Sequence, residues 1–123
     1  MRNKLGITKS TKRYLVINAP GNFLYKIGEL PEGVEFIGFD DNGAEIAFAF
    51  LTRKSEVEEL LPLLKYKIKK DGIIWVGYPK PDSGIDANIN KKFVQQKASQ
   101  NGLKENAYLQ YDKRWEMLRY HLD

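Results

Sequence analysis

The chain has 123 residues with 42% apolar and 29% charged side chains, a net charge of +4, one His and no Cys. The absence of Cys excludes disulfide scaffolds, thiolate metal sites and cysteine nucleophiles, and a single His leaves no imidazole pair for a metal. At this mass about 6,800 Å² of surface should stay exposed, which allows one hydrophobic core. The longest apolar run, Ile46–Leu51, falls far short of the roughly 20 residues of a membrane span, and no apolar segment follows the basic start. The expectation is a soluble, cytoplasmic, single-domain protein with no membrane contact.

Residues 1–12 contain Leu5 and Ile7 without a period and read as an arm lying on the domain. Tyr14–Ile17 is a buried strand, ended by Asn18-Ala19-Pro20-Gly21-Asn22 as a turn. Phe23, Leu24 and Ile27 recur at helical spacing, and Leu30-Pro31-Glu32-Gly33 closes that short helix. Val34–Phe39 is a second strand candidate, followed by the turn Asp40-Asp41-Asn42-Gly43. An Asn-Gly turn between strand-like segments is a hairpin signal, so residues 34–52 form either a hairpin or a shortened parallel crossover. Ala44–Thr52 is apolar on both faces and belongs in a sheet covered on both sides, with Ala47 and Ala49 allowing a helix close approach.

The clearest helix follows. Ser55 and Glu58 have capping-box spacing, Val57, Leu60, Leu61, Leu64 and Ile68 form one stripe, Pro62 predicts a kink or break, and Asp71-Gly72 the end. Ile73–Tyr78 is another doubly buried strand, left through the loop Pro79–Gly84. A third helix runs from about Asn90 to Asn101, with Ile89, Phe93, Val94 and Ala98 inward and Gly102 past its end. In the tail two antiparallel strands at the sheet edge are favoured over a helix for residues 113–122. The sum is an α/β protein: a three-layer α/β/α sandwich on a mostly parallel sheet with an antiparallel C-terminal edge.

Two sets of segments carry a resemblance. Leu61-Pro62-Leu63-Leu64 through Lys70-Asp71-Gly72-Ile73-Ile74-Trp75-Val76-Gly77-Tyr78-Pro79-Lys80 resembles the late helix, turn and fifth strand of class I methyltransferases. Across nearly the whole chain, Lys4-Leu5-Gly6-Ile7, Asn18-Ala19-Pro20, Leu30-Pro31-Glu32-Gly33, Pro79-Lys80, Ser83-Gly84, Gly102-Leu103 and Trp115 resemble a family of small bacterial proteins known as a domain of unknown function. The resemblance implies a shortened, truncated methyltransferase-like or Rossmann-like fold and supplies no activity.

Charge is unevenly distributed: residues 1–28 carry six cations and no anion, 29–64 nine anions and two cations, and 65–104 nine cations and three anions. Fifteen of the 20 cations are Lys, which lack the bidentate geometry of Arg, and Lys65, Lys67, Lys69 and Lys70 suit a helix C-terminus. Nucleic acid is therefore an unfavoured partner. Two turns are candidate ligand sites at the carboxyl end of the sheet. After the first strand, Gly21 is the only glycine, Pro20 removes a donor, and Asp40 or Asp41 lies about where a ribose-binding acid would stand. In the second, Lys80 would neutralise an anion, Ser83 would donate to it, and backbone at Gly84 and Asn88–Asn90 would add N–H groups, with Asn18 facing the same crevice. The competing reading of both is a plain turn and a tight exit loop. Phe48, Phe50, Trp75 and Phe93 read as core, and Tyr108, Tyr111, Trp115 and Tyr120 as a possible exposed edge surface. No catalytic or metal-ligating set emerges, His121 reads as a surface side chain, and no cofactor is expected. The leading expectation is a non-catalytic or vestigial protein binding a protein partner or a small anionic ligand; the alternative is an enzyme of methyltransferase-like ancestry using the Asn18/Lys80 crevice.

Overall fold

The computed structural model describes residues 2–122; Met1 and Asp123, at the ends of the expected arm and tail, lie outside the described residues. Six strands form one sheet: β1 (Arg13–Ile17), β2 (Glu35–Phe36), β3 (Ala44–Phe50), β4 (Ile68–Pro79), β5 (Leu103–Gln110) and β6 (Trp115–Leu122), in the order β2-β1-β3-β4-β6-β5. The first four are mutually parallel, while β6 is antiparallel to both β4 and β5. The helices are α1 (Arg2–Leu5), α2 (Phe23–Ile27), α3 (Lys54–Lys67) and α4 (Lys91–Gln100).

Side-chain alternation along the strands divides the interior into two layers. One layer joins Leu15, Ala47, Ala49, Ile74, Val76 and Leu118 to Val57, Leu61 and Leu64 of α3 and Val94 and Ala98 of α4. The alanines let α3 approach, as expected. The opposite layer is aromatic: Phe48, Phe50, Trp75, Tyr111 and Trp115 pack with Phe23 and Ile27 of α2 and with Leu5 and Ile7. Phe50 is its hub, with edge-on rings at 5.9 Å (Phe23), 5.2 Å (Tyr111) and 5.3 Å (Trp115).

The connection from β2 to β3 is a crossover without a helix. Register explains how it can be so short: β2 pairs only with the start of β1 (Glu35 opposite Arg13, Phe36 opposite Tyr14), and Ile46 of β3 lies opposite that same Tyr14 from the other side. The chain leaves β2 almost level with the start of β3 and needs chiefly to pass sideways by two strand spacings, roughly 10 Å. Residues 37–43 can extend over roughly 23 Å. The turn of this passage lies at Gly38–Asp41, where the Asp41 N–H donates to the Gly38 carbonyl at 3.0 Å, earlier than the expected Asp40–Gly43; the hairpin alternative is excluded, and β2 is shorter than the expected Val34–Phe39.

Several local expectations are corrected. The start of the arm is helical, and Leu5 and Ile7 are buried, with the Trp75 indole N–H donating to the Leu5 carbonyl at 2.8 Å. Helix α3 is continuous through Pro62. Its N-terminus uses Glu56 in place of Glu58: the Glu56 carboxylate accepts the Arg53 N–H at 3.0 Å, and the neighbouring Lys54 N–H is taken by Asn88 at 2.8 Å. It stops at Lys67, because Ile68 is drawn out of the expected helical stripe to pair with Ala44. Gly72 sits in the irregular stretch that follows, where a Cβ would lie 3.0 Å from the Lys69 carbonyl. Lys69 and Lys70 therefore belong to β4 and not to a helix end. In the tail, Tyr111, Trp115 and Tyr120 are buried and only Tyr108 is exposed, so the edge surface imagined for all four is absent. Helix α4 matches its expectation, with Asn90 accepting the Phe93 N–H and Gly102 at φ 72°.

Candidate functional site

In an open α/β sheet, ligands bind outside the carboxyl ends of the strands where strand order reverses. Here the order reverses between β1 and β3, which places the site at Ile17-Asn18 on one side and Leu51-Thr52 on the other. Asn18 is exposed and left-handed (φ 55°), a conformation that short amide side chains tolerate. Its amide donates across the gap to Glu56 Oε2 at 3.4 Å. The other oxygen of Glu56 accepts the N–H groups of Thr52 and Arg53 at 2.9 and 3.0 Å. One carboxylate thus caps α3 and bridges the two strand ends.

The turn after β1 is held from outside the sheet. The Asn22 Oδ1 accepts the Tyr111 hydroxyl at 2.9 Å, and its amide donates to Asp112 Oδ2 at 3.2 Å. Burial would raise the Asp112 carboxyl, but bonds from the Arg114 N–H, the Asn22 amide and the Trp115 N–H, with Lys26 nearby, hold it below its ordinary value. Burial, with Asp112 beside it, pushes the Tyr111 hydroxyl up to about 12. Gly21 is exposed, and a Cβ there would meet nothing within 4 Å. It borders a shallow depression of about 340 Å³ lined by Val16, Ala19, Pro20, Phe23, Leu24 and Phe36. That lining is apolar. Leu24, on the outer side of α2, and Phe36 are 61% and 50% exposed. At the end of β2, Asp41 turns back to accept the Gly38 N–H at 2.9 Å, and Asp40 is exposed.

The second expected site separates from the first. Lys80 stands at the end of β4, with β3 between it and Asn18, and Asn18 faces Glu56 instead. The Lys80 N–H donates to the Arg114 carbonyl at 2.9 Å, the Ser83 N–H to the Lys80 carbonyl at 3.1 Å, and the Ser83 hydroxyl accepts the Ile85 N–H at 3.1 Å. Gly84, at φ 79°, completes the turn. Further on, the Asn88 N–H is taken by the Thr52 carbonyl at 3.0 Å. These groups fasten the exit loop to the β5–β6 turn and to the end of β3. His121 points one ring nitrogen at the Leu122 carbonyl, 2.9 Å away. Among the described residues no three His, Asp or Glu side chains converge as a metal site, and no helix is long and apolar enough to cross a membrane. Sequence reasoning missed Glu56, whose place at a helix start read as surface charge; its partners at Thr52 and Arg53 are backbone N–H groups, which no residue type marks.

No protein-family profile and no curated protein matches the chain, so kinship with a small bacterial family is not shown. Solved structures do match. A candidate S-adenosylmethionine-dependent methyltransferase from Listeria monocytogenes superposes with a TM-score of 0.65 over 98% of this chain and 95% of that one, at 8% identity. A TehB-like S-adenosylmethionine-dependent methyltransferase from Corynebacterium glutamicum gives 0.61 over 92% and 81%, at 11% identity. The geranyl diphosphate C-methyltransferase of Streptomyces coelicolor gives 0.62 over 98% and 74%, at 9% identity. The chain therefore has the Rossmann-like class I methyltransferase fold, with an antiparallel β4-β6-β5 edge.

Proposed function

We propose that this chain is a non-catalytic binding module of methyltransferase ancestry, and that it receives apolar side chains of a protein partner in the depression beside Gly21. The observation that carries this reading is the bridge from Asn18 to Glu56, which occupies the strand-order reversal where a cofactor of this fold class would need open backbone. Asp41 is likewise committed to Gly38, and the remaining concavity offers apolar contact. An apolar depression rimmed by exposed Leu24 and Phe36 suits a partner's side chains better than an anion. The small anionic ligand expected at Lys80 loses one of its donors, because the Asn88 N–H is given to the Thr52 carbonyl.

Isothermal calorimetry with S-adenosylmethionine and S-adenosylhomocysteine should give no heat of binding at roughly millimolar ligand, where even a weak site near −4 kcal/mol would register. Micromolar affinity for either would overturn the reading and favour the enzyme alternative. In a two-dimensional NMR titration, indole as an apolar probe should shift the amides of Ala19–Leu24 and Phe36, and Leu24→Lys should remove those shifts. Unchanged spectra for the native chain would count equally against the proposal.

A further inference from the structure

We propose that the outer face of α4, together with the start of α3, binds the phosphate backbone of a nucleic acid. The segment 87–104 contains Lys91, Lys92, Lys97 and Lys104 and no Asp or Glu. With Val94 and Ala98 buried, α4 exposes Lys91, Lys92, Gln96, Ser99 and Gln100, and Lys97 stands half-buried at its flank. Packing brings in a cation from elsewhere in the sequence: Lys54, at the start of α3, lines a cleft of about 400 Å³ with Asn88, Asn90, Lys92, Phe93 and Gln96. A second, shallow depression of about 530 Å³ adjoins it at Lys92 and Gln96 and reaches Ser99 and Gln100.

Aromatic rings hold the lysines in place. Lys54 and Lys97 lie 5.5 and 5.6 Å from the half-buried Phe93 ring, and Lys91 lies 4.5 Å from the Tyr108 ring. Among the described residues none of Lys54, Lys91, Lys92 and Lys97 joins an ion pair. The bordering acids are occupied: Asp86 pairs with Arg53, and Glu105 accepts from the Gln95 amide and the Tyr120 hydroxyl. Glu58 and Glu59 lie further along α3. Exposed ammonium groups beside the neutral side chains of Gln96, Ser99 and Gln100 complement phosphodiester oxygens, which accept from both, while Gln95 is given to Glu105. Because the cations are Lys, they act as point charges and grip backbone without reading bases. The sequence alone concealed this face by dispersing it over two blocks, and by drawing attention to the helix-end lysines, of which Lys65 and Lys67 do close α3 while Lys69 and Lys70 lie on β4.

The test is fluorescence anisotropy with the full chain and labelled 20-nucleotide single strands of two unrelated sequences. Both should bind with equal affinity, and four phosphate contacts should make that affinity fall about 50-fold between 50 and 200 mM salt. Lys92→Ala/Lys97→Ala should weaken binding and lower the salt slope by about half at an unchanged melting temperature, while Lys69→Ala/Lys70→Ala should leave both as in the native chain. Absence of binding at 50 mM salt, affinity unaltered by the α4 pair, or tighter binding of a poly-glutamate peptide of matched charge would each overturn the proposal. Leu24→Lys, which tests the Gly21 depression, should not affect this binding, so the two readings fail separately.

Discussion

At Gly77 the sheet leaves no space for a methyl group: a Cβ there would lie 2.8 Å from the Phe50 ring, which is itself wedged among Phe23, Tyr111 and Trp115. Gly77→Ala should therefore destabilise the protein by about 1–3 kcal/mol through overpacking, seen as a lowered melting temperature; an unchanged value would show that the ring yields freely. Asp112 closes the β5–β6 turn by accepting the Arg114 and Trp115 N–H groups and ties it to Asn22 by a third accepted hydrogen bond. Its carboxyl is held below its ordinary value, so the folded state favours the ionised form. That contribution is present above the unfolded pKa of about 3.8 and is lost as the pH falls through the lower folded value. Asp112→Asn should cost about 1 kcal/mol near neutrality, and the gap to the native chain in thermal unfolding should close in strong acid. A gap independent of pH would place its origin in packing alone.

Among elements, α4 was the most legible, because its stripe, its Asn90 cap and its terminal Gly102 all agree on one span. The boundaries of α3 were not. Ile68 fits the helical stripe four residues after Leu64 and fits strand pairing with Ala44 equally well, and only the sheet decides between them. Glu58 is likewise correctly spaced from Ser55, but the Asn88 bond to Lys54 comes from a loop thirty-four residues away. Helix α1 depends on tertiary contact even more, since four residues cannot sustain a helix in water. It exists because Leu5 is fully buried against the aromatic layer and its carbonyl accepts the Trp75 indole. Leu5→Ala should cost about 2–4 kcal/mol, measured by urea unfolding; a change below about 0.5 kcal/mol would show α1 to be a dispensable appendage.

For the whole molecule, the fold class was readable because doubly apolar strands alternate with amphipathic helices, a pattern that admits few architectures. The candidate site was less so, because a strand-order reversal is a property of the sheet and not of any segment. Asn18 and Gly21 were recognisable as a turn at a strand end, whereas the partner of Asn18 required knowing that β3, and not β4, lies beside β1. The two-layer division also has an optical consequence. Both tryptophans, Trp75 and Trp115, belong to the aromatic layer, and the layer under α3 and α4 contains none. Intrinsic fluorescence thus reads one side of the sheet. Occupancy near Phe23 reaches Trp115 through Phe50, while an event on α4 is screened by the full thickness of the sheet. The protein carries its own reporter for telling its two proposed surfaces apart.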